Sequence, residues 1–139
     1  MITFVCGQLC SGKTLYSNTL SDMDKSIYVE VGNLVRRWKN TQDRKELQDS
    51  NQLADRIIAY IKEDVRSFSK VVVSGVRQKE IIEAFPEATI LWIDCPKDVR
   101  KQRYLSRQRE GDTHTFEEAE QGDIDLGILE VKKYIFERQ

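Results

Sequence analysis

At 139 residues, with 40% hydrophobic and 32% charged positions, the chain is sized for one soluble domain with a real core. A net charge of −1 and a pI near 5.9 exclude a surface built throughout for nucleic acid and leave room only for a local basic patch. No apolar run approaches the ~18 residues of a membrane span, and Gln8 with residues 11–13 interrupts the layout of a signal peptide.

The first apolar run, ITFVC (2–6), reads as a strand, and it leads directly into GQLCSGKT (7–14). That stretch fits G-x-x-x-x-G-K-[ST], a loop that cradles phosphates. Gly7 and Gly12 allow backbone angles and close approaches that a Cβ would block. Backbone N–H groups from Gln8, Cys10, Ser11 and their neighbours can then face phosphate oxygens, with the positive end of the following helix behind them. Lys13 suits the β- and γ-phosphates and the Thr14 hydroxyl suits Mg²⁺. An apolar strand before and a helix over 14–20 after are the context this loop demands, and they imply ATP and Mg²⁺ as ligands. Three cysteines, Cys6, Cys10 and Cys95, form an odd set without metal-like pairing and fit a reducing, cytoplasmic compartment.

Three further runs, SIYVEV (26–31), KVVVSGV (70–76) and ATILWIDC (88–95), are continuous and rich in Val and Ile, as strands buried on both faces of a parallel sheet are. Residues 51–68 carry Leu53, Ile57, Ile61, Val65 and Phe68 at helical steps. Residues 97–109 follow Pro96, which suits a helix start, and Thr115 with Glu118 forms the pattern of a capping box. Strand alternating with helix predicts an α/β fold with its ligands at the carboxyl ends of the strands.

Beyond the loop, GNLVRR (32–37), VVVSGVRQKEIIEAF (71–85) and RKQRYLSRQREGDTHTFEEAEQGDIDLGI (100–128) resemble, in consistent order, segments of the small P-loop kinase superfamily. That superfamily includes nucleoside monophosphate kinases and dephospho-coenzyme A kinase. The resemblance implies a three-layer P-loop kinase fold with a short parallel sheet of four to five strands flanked by helices. It also implies one domain over 1–139, with an acceptor-binding insertion about 33–68 and a lid about 107–118. Two acids common in relatives are replaced here by Asn33 and Ser74. The chain stops near YIFERQ where relatives continue into another strand, so four strands and a terminal helix are expected.

Arg100, Arg103 and Arg107 fall three and four apart on one helix face, with Arg109 at the lid's edge. The resemblance assigns Arg103 and Arg107 to the transferring phosphoryl, and Arg36 and Arg77 to an anionic acceptor. With the two acids gone, Glu30 is the candidate base and Asp94 the candidate for ordering water around Mg²⁺. Trp38 is the candidate for stacking an acceptor base, whereas Tyr28, Trp92 and His114 read as core or loop residues. The basic run Arg36, Arg37, Lys39, Arg44 and Lys45 could meet a DNA backbone, diluted by Asp43, Glu46 and Asp49.

The expected function is an ATP- and Mg²⁺-dependent kinase with a nucleotide-type acceptor. The named acceptor is 5-hydroxymethyluracil in phage DNA, which would place the protein in the host cytoplasm. The alternatives are a small-molecule kinase acting on a nucleoside monophosphate or dephospho-coenzyme A, and a non-catalytic nucleotide-binding switch.

Overall fold

The computed structural model describes residues 1–41, 50–107 and 114–138, the side chains of 39–41, 50 and 51 excepted. Arg109, at the edge of the expected lid, and Arg44 and Lys45 of the basic run lie outside the described residues, as does the Lys39 side chain.

The four apolar runs form β1 (Ile2–Gly7), β2 (Ile27–Glu30), β3 (Val71–Ser74) and β4 (Thr89–Ile93), joined in one parallel sheet in the order β2-β3-β1-β4. β1 is therefore central, in register with β3 (Phe4 opposite Val73) and with β4 (Phe4 opposite Ile90). Between and after the strands lie α1 (Lys13–Asp24), α2 (Val31–Thr41), α3 (Ser50–Ser67), α4 (Lys79–Glu83), α5 (Lys97–Arg107), α6 (Phe116–Leu126) and α7 (Ile128–Glu137). The expected α/β class, parallel sheet and terminal helical ending all appear. One boundary differs: Val31, expected to finish the second strand, opens α2, because the backbone turns helical as soon as Glu30 leaves the sheet.

Strand periodicity divides the core. Ile2, Phe4 and Cys6 of β1, Val71 and Val73 of β3 and Val29 of β2 share one face. They pack with Leu53, Ile57 and Ile61 of α3, Ile81 and Ile82 of α4, and Ile128, Val131 and Ile135 of α7. Each such side chain, fully buried, contributes roughly 1.5–3 kcal/mol. The helical repeat over 51–68 is thus the face that builds the core, except that Phe68 lies past the helix end and is exposed. Val5 and Val72, of opposite parity, are buried outside that cluster, and α1 packs on β1, β2 and β3. α1 buries Ser17 and Ser21 while Leu15 and Met23 stay exposed. Small side chains on the buried face let the helix sit close to the sheet. α6 opens with the predicted capping box, Thr115 accepting from the Glu118 N–H while the Glu118 carboxylate accepts from the Thr115 N–H. Those bonds hold the Glu118 carboxyl below its usual range.

Gly7 ends β1 where the chain has no room for a side chain. A Cβ there would stand 2.8 Å from the Ile93 carbonyl oxygen and would collide with the Ser11 Oγ. Gly7→Ala is expected to lower the unfolding free energy by about 1–3 kcal/mol, as overpacking does. Urea denaturation reads this directly, and an unchanged midpoint would show that the loop can yield at no cost.

Candidate functional site

The phosphate loop is the turn that carries the chain from β1 to α1, so the sheet fixes one end and the helix the other. Gly12 takes φ 101° as the N-cap of α1, and no side chain caps the helix. The N–H groups of the first turn consequently have no intrahelical acceptor. Lys13 Nζ donates to the Gln8 carbonyl at 2.8 Å, folding the lysine back across the loop. Burial, and secondarily the charge of Arg77, lowers its pKa to about 8; Asp123, Cys10 and Cys6 push the other way. Burial raises the Cys6 thiol to about 12 and leaves it inert at neutral pH. The buried Ser11 Oγ makes no hydrogen bond among the described residues.

A cleft of about 390 Å³ opens above this loop. Its donor side is formed by Cys10, Ser11, Gly12, Lys13 and Thr14, and by Arg103 and Arg107 from α5. Arg103 Nη1 donates to the Cys10 carbonyl at 3.2 Å and to Cys95 Sγ at 3.5 Å, so it lies across the loop. The Arg107 guanidinium stands 4.6 Å from the centre of the Tyr104 ring. The other side is formed by Glu30, Gly32 and Arg36 at the β2–α2 junction and by Ser74, Gly75 and Arg77 after β3. Glu30, Asn33 and Arg36 make one polar cluster: Asn33 Nδ2 donates to Glu30 Oε2 at 3.2 Å, Arg36 donates to Asn33 Oδ1, and Arg36 Nη2 lies 3.6 Å from Glu30 Oε1. Arg77 is held by Asp123 of α6 at 2.6 Å.

The structure therefore gathers Lys13, Thr14, Glu30, Arg36, Arg77, Arg103 and Arg107 around one space, although they are scattered over 95 positions of sequence (107 − 13 + 1). Asn33 is bonded to Glu30 and Arg36. Ser74 is buried, with its Oγ 2.7 Å from the Tyr28 hydroxyl. Two candidates stand elsewhere. Trp38 packs edge-on against Tyr60 with Arg56 4.2 Å over its ring, outside the cleft lining. Asp94 is exposed past the end of β4 and is also absent from that lining. His114 is exposed, 3.6 Å from Glu118.

Sequence reasoning missed the carboxylates behind the arginines. Asp123 fixes Arg77 and Glu120 fixes Arg100, yet both look in sequence like ordinary acids of a charged helix. Their only signal is a three-residue spacing on α6, which places them on neighbouring positions of one face.

The loop suits a polyphosphate: it combines uncapped helix N–H groups, an orphaned buried hydroxyl and a converging lysine. Among the described residues no group of three or more His, Cys, Asp or Glu could hold a metal. Mg²⁺ on a nucleotide is usually held by one or two protein oxygens with phosphates and water; the Thr14 hydroxyl, in the cleft lining, is an oxygen of that kind.

No protein-family model matches the chain. It is 27% identical over 142 aligned positions to a UPF0200/UPF0201 protein of Archaeoglobus fulgidus, covering 88% of this chain and 43% of that one. Over 63 residues, 44% of this chain and 14% of the relative, it is 33% identical to ribose 1,5-bisphosphate phosphokinase PhnN of a Janthinobacterium strain. It thus spans less than half the length of these curated relatives. Among solved structures, shikimate kinase from Acinetobacter baumannii in complex with shikimate superposes with a TM-score of 0.63 at 17% identity, covering 99% of this chain and 78% of that one. A sugar kinase from Janibacter gives 0.53 at 16% identity, covering 79% of this chain and 68% of that one. The fold is that of the shikimate kinase-like P-loop proteins: an α/β structure with a four-stranded parallel sheet flanked by helices.

Proposed function

We propose that the protein is an ATP- and Mg²⁺-dependent phosphotransferase with a nucleotide-type acceptor. The observation that carries this reading is the convergence on one cleft of Lys13, Arg103 and Arg107 from the donor side with Arg36, Arg77 and Glu30 from the other. A loop that only held nucleotide would have no use for the second set. The similarity to ribose 1,5-bisphosphate phosphokinase and the kinase fold of the structural neighbours support it.

In this reading residues 1–139 are a single kinase domain. Residues 33–68 bind the acceptor and residues 107–118 close over the donor, in a cytoplasmic setting. The acceptor oxygen bonds to the γ-phosphorus, the bond to the ADP oxygen breaks, and the acceptor's proton passes to Glu30. Lys13, Arg103 and Arg107 neutralise the moving phosphoryl, where positioning and charge supply most of the catalysis. Thr14 would hold Mg²⁺, which would supply positive charge against the phosphates; Asp94, exposed outside the cleft lining, takes no part in this reading. Arg36 and Arg77 would grip the acceptor's anionic group in bidentate fashion.

The named acceptor is 5-hydroxymethyluracil within DNA, since two arginines beside a base suit a hydroxymethyl group flanked by phosphodiesters. Labelled ATP, Mg²⁺ and a panel of nucleoside monophosphates, dephospho-coenzyme A and 5-hydroxymethyluracil-containing DNA test it. ADP formation that depends on an acceptor is the expected result, with label on DNA. Label on a small molecule instead would replace the named acceptor, and tight ATP binding without turnover on any of them would convert the kinase into a switch.

A further inference from the structure

Arg100 is one of the three arginines on the face of α5, but it does not share the cleft with Arg103 and Arg107. Its exposure is 3%, and it is not among the cleft-lining residues. A buried guanidinium needs partners on every side, and it has them from three segments. Nε donates to the Cys95 carbonyl at 3.1 Å, after β4; Nη1 donates to the Leu9 carbonyl at 3.3 Å, in the phosphate loop; and Nη1 meets Glu120 Oε1 of α6 at 2.7 Å. Glu120 is itself buried and is approached by Lys97 Nζ at 3.4 Å.

What Arg100 touches in the loop is significant because of the next residue. Cys10 sits at φ 60°, in the left-handed region that a side chain rarely adopts. Such a conformation costs on the order of 1–3 kcal/mol and persists only when its surroundings over-determine it. Here the carbonyl on each side of the Cys10 φ/ψ pair is held by an α5 arginine: Leu9 O by Arg100 and Cys10 O by Arg103. The C=O and N–H of a trans peptide point in opposite directions. Drawing Leu9 O toward buried Arg100 therefore aims the Cys10 N–H away from the protein interior.

We propose that Arg100, fixed by Glu120, is a positioning residue that holds the Leu9–Cys10 peptide of the phosphate loop in its anion-binding orientation. It does so without touching the nucleotide, and the inference rests on the loop being the nucleotide site. Arg103 completes the clamp but also faces the cleft, whereas Arg100 is buried outside the cleft lining. α6, which begins within the last residues of the expected lid, thereby braces both halves of the site: Glu120 through Arg100, Asp123 through Arg77.

The test measures affinity for ATP and for inorganic tripolyphosphate by titration calorimetry, with urea unfolding alongside. Removing one member alone would strand a buried charge, so the main variant is the double Arg100→Met/Glu120→Met, which exchanges the ion pair for apolar side chains of similar volume. It is expected to fold and to bind both probes about tenfold more weakly, roughly the loss of one charge-assisted hydrogen bond. An equal loss for both probes identifies the phosphate loop, because tripolyphosphate has no base or sugar. Arg100→Lys, which keeps the charge but not the fork, is expected to lose affinity similarly, and it decides the matter if the double variant does not fold. Lys101→Ala, on the exposed face where Lys101 pairs with Glu117, should bind as wild type does. Folded variants that bind within about twofold of wild type would overturn the assignment. Wild-type protein that binds neither probe would instead remove the nucleotide site itself, a result read before any variant is made.

Discussion

Lys13→Ala is expected to reduce acceptor-dependent ADP formation by about 10³-fold, the scale of losing one preorganised charge at the reacting group. The lysine is already aligned in the cleft by the Gln8 carbonyl and lies beside the charge of Arg77. Its lowered pKa gives the prediction a second signature. Phosphate oxygens favour the ammonium form, so nucleotide binding raises the pKa and draws up to about one proton from solution above pH 8. ATP affinity should fall as pH rises through about 8. Stability moves oppositely. Between about 8 and 10.5 the native state binds fewer protons at this site than the unfolded chain, so the contribution to unfolding free energy rises with pH across that window and is absent below it. Calorimetry in buffers of differing ionisation enthalpy, and urea unfolding over the same window, should show both trends in wild type and neither in Lys13→Ala. Retained turnover in that variant would overturn the assignment of the cleft.

Arg103→Ala is expected to lower kcat by a comparable factor, about 10³-fold, as removal of an arginine from a transferring phosphoryl does. Its effect on ATP affinity should be smaller. Arg103 lies over the loop, its Nη1 3.5 Å from where a Cβ on Gly12 would stand, and it is exposed rather than packed into the core. The variant should therefore fold normally, and the loss should appear in single-turnover transfer rather than in the unfolding midpoint. An unchanged kcat would relegate Arg103 to bracing Cys10 and leave Arg107 as the cleft's only α5 cation.

Much of this structure is written locally. The run before the loop, the loop and the alternation of Val- and Ile-rich strands with helical repeats were legible because each depends on neighbours in sequence. The capping box of Thr115 and Glu118 was legible for the same reason. α2 was less so: SIYVEV continues to read as strand up to Val31, and only the departure of Glu30 from the sheet shows where the helix starts. The face of α1 was misleading, because Ser17 and Ser21 are buried there while Leu15 and Met23 are not. Periodicity equates burial with size, and this helix buries small residues to approach the sheet. Around the cleft, arginines could be chosen by position but not sorted by role. Arg100 and Arg103 both reach the loop, and what separates them, burial of Arg100 against Glu120 of α6, is a contact 20 residues away in sequence (120 − 100).

The order of the sheet has a consequence for change over time. β1 is bonded on both sides and carries the phosphate loop, whereas β2, an edge strand bonded among the described residues to β3 alone, leads straight into α2. A substitution beside the loop disturbs two ladders at the centre of the fold; one near α2 disturbs a single ladder at its margin. Under the proposed function, the phosphate loop stands at the centre of the sheet, while Glu30 and Arg36 of the acceptor side stand at its margin. Substitutions that change the acceptor are, under that function, better tolerated at the β2–α2 margin than substitutions beside the loop.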